Sequence, residues 1–94
     1  MKQNTSATEP AQDIAIQALA FIAGDETILA RFLDLTGWTP QGLNAPEART
    51  AILTAALDYL MSEEDLLLTF AANSGLDPTD IVRAHRALQG AQGV

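Results

Sequence analysis

Two stretches of the chain decide its fold: ALAFIAGDETILARFLDLTGWTPQGL, Ala18 to Leu43, and ALDYLMSEEDLLLTFAANSGLDPTDI, Ala56 to Ile81. Laid over one another at an offset of 38 residues they agree at seven positions: Ala18/Ala56, Leu19/Leu57, Glu26/Glu64, Leu29/Leu67, Phe32/Phe70, Gly37/Gly75 and Pro40/Pro78. Phe21/Tyr59, Ile22/Leu60, Asp25/Glu63, Ile28/Leu66 and Leu43/Ile81 are conservative pairs. The shared residues are apolar positions, a helix stop and a helix start, so the repeat describes architecture rather than chemistry. Each copy reads as a long helix, a corner at Gly24 or Ser62, a second helix, a glycine, and a third helix opened by proline.

Outward from these stretches the apolar residues keep helical spacing, and no segment shows the two-residue alternation of a strand. Ile14, Ala18, Phe21 and Ile22 form a first stripe, widened by Ala15 and Leu19, with Asp13, Gln17 and Ala20 as its polar edge. Ile28, Leu29, Phe32 and Leu35 form a second, which ends at Gly37. Thr39-Pro40 predicts a single helical turn closing near Asn44, because Thr caps well and Pro fits the first turn. The Asn44 to Glu47 spacing predicts a capping box opening the helix of Ile52, Leu53, Ala56, Tyr59 and Leu60. Ser62 with Asp65 predicts the cap of the next helix, carrying Leu66, Leu67 and Phe70. Asp77-Pro78 with Asp80 opens the last, which buries Ile81, Val82 and Leu88 and is released by Gly90 and Gly93.

The expected fold is all-α: a compact bundle of five to six short helices built from two pseudo-symmetric repeats, about 11–44 and 45–88. An extended array is disfavoured, since solenoids need about three repeats. Residues 1–10 read as a disordered tail, 11–90 as one helical domain and 91–94 as a flexible end. The quoted residues resemble a small bacterial family known as domain of unknown function 3572. They include Gln17 to Asp25, Leu29, Phe32, Leu33 and Thr36-Gly37, then Leu57 to Leu60 and Phe70 with Gly75 to Pro78. The resemblance spans about Asp13 to Leu88. It rests on core and cap positions and implies no activity, cofactor or catalytic residue.

Charge narrows the partners. Twelve Asp and Glu against five Lys and Arg leave a formal net charge of −7, a field that repels nucleic acid and anionic membranes. No apolar run approaches the roughly 18 residues that span a bilayer, which points to a cytoplasmic protein. With no cysteine and one histidine, His85, no nucleophile–base set is apparent and no metal or cofactor is expected. Asp25-Glu26 and Glu63-Glu64-Asp65 lie at helix starts, where carboxylates serve the exposed N–H groups, and lack the spacing of a calcium loop. Arg83 and Arg86 share the outer face of the last helix, with Asp80 as a candidate partner of Arg83. The acids from Asp58 to Asp80 argue against DNA reading there.

The candidate interface residues are Leu68 and Ile16, which fall off their helices' core stripes, Trp38 beyond the C-terminal glycine, and His85 at the edge of the core. The chain therefore reads as a non-enzymatic protein-interaction module, a homodimer or an adapter. The alternatives are an acidic decoy that regulates a nucleic-acid-binding protein, and a carrier of a small apolar ligand in a pocket lined by Phe21, Phe32, Tyr59 and Phe70.

Overall fold

The computed structural model describes residues 8–92 and contains five α-helices: α1 (Thr8–Ala23), α2 (Glu26–Thr36), α3 (Arg49–Met61), α4 (Glu64–Ser74) and α5 (Pro78–Gln92). Two short 3-10 turns, Gly42–Asn44 and Pro46–Ala48, join α2 to α3. The Cα radius of gyration is 13.0 Å, close to the roughly 13 Å of a compact 100-residue domain. The chain is thus a closed bundle.

Helix α3 is the centre. Ile52, Leu53, Thr54, Ala56, Leu57, Tyr59 and Leu60 are all buried, as a helix apolar on nearly all sides must be. Helices α1 and α5 make the most extensive contacts, with each other and with α3, while α2 and α4 lie across this layer. The α1 side of the core is largely alanine: Ala11, Ala15 and Ala18, followed by Ile22. These meet Ala84 of α5 and its neighbours Ile81 and Leu88 in the same core. Small side chains at a helix contact let the axes approach closely.

The helix ends follow local chemistry. Asp25 caps α2, its Oδ1 accepting from the N–H groups of Thr27 at 2.9 Å and Ile28 at 3.1 Å. Thr39 caps its turn through Oγ1, which accepts from Gly42 N–H at 3.1 Å, although the turn is 3-10 rather than α. Asp80 Oδ2 accepts from Asp77 N–H at 3.0 Å, the reaching-back half of a capping box. Gly37 and Gly75 have φ of +81° and +69°, a conformation in which a side chain is strained. Gly37 N–H donates to Leu33 C=O at 2.8 Å, whereas at the other helix end Leu76 N–H reaches Ala71 C=O at 2.9 Å. The two helices therefore stop by the two different glycine motifs, a single αL bond and a Schellman pair.

Several expectations are corrected. The Asn44 capping box does not form: Ala45 is extended, at φ −72° and ψ 119°, and α3 starts at Arg49 after a further 3-10 turn. The cause is Pro46, whose ring disfavours the helical conformation for the residue before it. Ser62 does not cap α4. It ends α3, its hydroxyl donating to Tyr59 C=O at 2.7 Å, and Glu63 occupies the cap position with no side-chain bond. Helix α1 begins at Thr8, inside the expected tail, and α5 continues through Gly90 to Gln92. The rest of the expected tail, residues 1–7, and residues 93–94 lie outside the described residues.

Leu35 is the largest departure. Expected in the core stripe of α2, it is 70% exposed. At 100° per residue, Leu29, Phe32, Leu33 and Thr36 define an arc from whose centre Leu35 lies roughly 110° away. Phe32 is fully buried on that arc, and Leu29 and Leu33 pack against the same core.

Candidate functional site

The expected interface residues fall into two kinds. Leu68 on α4 and Ile16 on α1 are 49% and 41% exposed and stand outside the packed core. Trp38 folds back on the helix it follows, its ring 6.2 Å from that of Phe32, and packs against the core. His85 is 8% exposed. Its Nε2 lies 3.5 Å from Oδ1 of Asp58 on α3 but makes no hydrogen bond, the distance being too long for one. No carboxylate near His85 in sequence hints at this pairing. Only the packing of α5 on α3 produces it.

Asp58 is the exposed position in the buried run of α3, with its side chain 74% accessible. It stands on the rim of an open groove of about 150 Å³ between α2 and α3. Phe32, Leu35 and Thr36 form one wall, and Ala55, Asp58 and Tyr59 the other. Leu35 was missed because the wheel of α2 was centred on the wrong side. The repeat itself held a signal: its counterpart at the 38-residue offset is Asn73, a polar residue, and that of Leu33 is the buried Ala71.

A second groove, about 310 Å³, runs between α1 and α5 along Ala11, Ile14, Ala84 and Ala87, with Asp80 and Arg83 among its lining residues. The expected Asp80–Arg83 pair is replaced by the Asp80 cap described above. Arg31 on α2 approaches Glu63 at 4.0 Å, the arginine exposed and the glutamate half-buried, a contact worth little at a solvated surface.

The four aromatic residues of the apolar-ligand alternative pack in pairs. Phe21 and Phe70 lie 5.5 Å apart and Phe32 and Tyr59 5.6 Å apart, tilted as aromatic pairs prefer. Phe32, Tyr59 and Phe70 are buried core, and Phe32 and Tyr59 also line the α2–α3 groove.

Among the described residues, no group of three or more His, Cys, Asp or Glu side chains could hold a metal ion. Ser62, which lines the α2–α3 groove with Thr36 and Tyr59, donates its hydroxyl to the Tyr59 carbonyl. Thr54 Oγ1, Tyr59 OH and His85 Nε2 are buried and, among the described residues, have no hydrogen-bond partner. Of the helix-start carboxylates Asp25 is a cap, and Glu64 and Asp65 occupy the first turn of α4. Among the described residues, no helix is long and apolar enough to cross a membrane.

Over residues 8–91 the chain matches the family model described as protein of unknown function, DUF3572. No curated protein and no solved structure matches it.

Proposed function

The chain belongs to the DUF3572 family, a membership that brings no activity with it, and from its own surface we propose that it is a cytoplasmic, non-enzymatic protein-interaction module. The observation that carries this reading is Leu35. A single exposed leucine on a surface is ordinary, but Leu35 continues into an open groove walled by Phe32, Ala55 and Tyr59. An exposed leucine beside a concave surface of mixed apolar and polar lining suits an anchor contact of the kind found at protein interfaces. The scaffold behind it is suited to presenting such a face: in our reading two copies of one helical unit pack on each other. Helix α4 repeats the bounds of α2 at the 38-residue offset, Glu26–Thr36 against Glu64–Ser74. Leu68 and Ile16 are further exposed apolar side chains open to a partner.

The test is co-purification from native extract and light scattering, each with wild type and Leu35→Asp. The reading predicts a partner, or a dimer, that is lost in the variant. A wild-type chain that is monomeric and alone, or a complex untouched by the substitution, contradicts it.

One observation favours a second reading. From Ala51 to Val82 the chain carries six acids and no Lys or Arg, which suits an acidic regulator that occupies the basic groove of a nucleic-acid-binding protein. Salt separates the two, since a purely electrostatic complex dissolves as the Debye length falls and an apolar one persists.

A further inference from the structure

We propose that the groove between α2 and α3 is a docking pocket for one cationic side chain, an arginine or lysine, of a heterologous partner protein, its stem against Leu35 and its charged head on Asp58. This rests on the interaction-module reading and names the partner's chemistry.

Size decides against a small molecule. Ligand and cofactor sites commonly enclose about 300–1,000 Å³, and this groove holds about 150 Å³, space for one side chain. Pockets of that scale hold the anchor residues at the centre of protein interfaces. The chemistry of the walls selects the anchor. Phe32, Leu35 and Ala55 offer carbon, Thr36, Tyr59 and Ser62 add hydroxyl-bearing side chains, and Asp58 supplies the charge. An arginine or lysine matches that pattern, because its methylene stem lies on apolar surface while its head stays polar.

The one charged side chain that lines the groove is the carboxylate of Asp58. Arg31, one turn before Leu35 on α2, is not among the lining residues and approaches Glu63 at 4.0 Å. The imidazole beside Asp58 is buried and makes no hydrogen bond to it, so the carboxylate keeps its outward face for an incoming donor. A heterologous partner suits the groove better than a second copy of the chain, which would bring another −7 of formal charge and the long-range repulsion that goes with it. Arginine adds a bidentate bond to a carboxylate that lysine lacks.

The experiment is an amide proton–nitrogen NMR titration of the full chain with N-acetyl-leucyl-argininamide. The citrulline analogue serves as the probe with the same stem and no charge. The expected result is a set of shifts confined to Leu35, Ala55, Asp58 and Tyr59, with affinity falling roughly tenfold, about 1.4 kcal/mol, for citrulline and for Asp58→Asn. Asp65→Asn, at an exposed acid on α4, leaves the affinity unchanged. Shifts spread over all exposed carboxylates, equal binding by Asp58→Asn, or no shifts at all overturn the proposal. So does broadening at these residues that grows with protein concentration in the absence of peptide, which assigns the groove to a second copy. If the peptide fails while Leu35→Asp still abolishes co-purification, the groove proposal falls and the interaction module stands.

Discussion

Replacing Leu35 by glutamine separates stability from binding. Full burial of a leucine contributes about 1.5–3 kcal/mol. With 70% of Leu35 in water, about a third of that is at stake, so the substitution should cost roughly 0.5–1 kcal/mol. Glutamine is chosen because its helix propensity is close to that of leucine, which leaves burial as the main variable. Phe32→Ala, one turn earlier and fully buried between Trp38 and Tyr59, should cost about 3–5 kcal/mol. That is a large share of the 5–15 kcal/mol typical of a domain. Urea unfolding followed by Trp38 fluorescence and far-UV circular dichroism measures both, and coincidence of the two probes checks two-state behaviour. A loss above about 2 kcal/mol for Leu35→Gln would mean that Leu35 belongs to the core, removing the foundation of the proposed surface.

Asp25→Ala should lose about 1 kcal/mol through its two cap bonds, whereas Glu63→Asp should gain up to about 1 kcal/mol by giving α4 the side-chain cap it lacks; thermal denaturation reads both. Tyr59→Phe removes a buried hydroxyl that has no partner among the described residues and should be neutral or raise stability by up to about 1 kcal/mol. A loss of that size would instead mean that the hydroxyl is bonded. Gly37→Ala and Gly75→Ala should each cost about 1–2 kcal/mol, because a Cβ there meets nothing within 4 Å and only the positive φ resists it. Calorimetric scans in which either variant matched wild type would contradict the two glycine stops.

The helices and most of the core were legible because their signals are local. Ile22, Phe32, Leu60, Phe70, Ile81 and Leu88 follow from apolar spacing alone, and all are buried. Caps were legible where one short side chain decides the geometry, as at Asp25 and Asp80. They failed where a neighbour intervenes, Pro46 at the start of α3 and Ser62 drawn back onto the Tyr59 carbonyl. The site was less legible. Leu68 and Ile16 were visible as off-stripe residues, but the Asp58–His85 approach joins residues 27 apart on two helices and exists only once α5 packs on α3. Leu35 required the centre of a buried arc, which depends on how α2 meets α1 and α3, and a wheel drawn from one helix does not fix that.

The most direct test of the central claim is photo-cross-linking in living cells from a photoreactive residue placed at position 35. Position 12 on α1, where Gln12 is exposed, is the control. A discrete adduct to a basic protein, formed from position 35, absent from position 12 and lost when Asp58→Asn is added, is the predicted result. Adducts only to a second copy of the chain would contradict the cationic anchor while leaving an interaction face at Leu35, and equal, diffuse labelling from both positions would contradict the face itself.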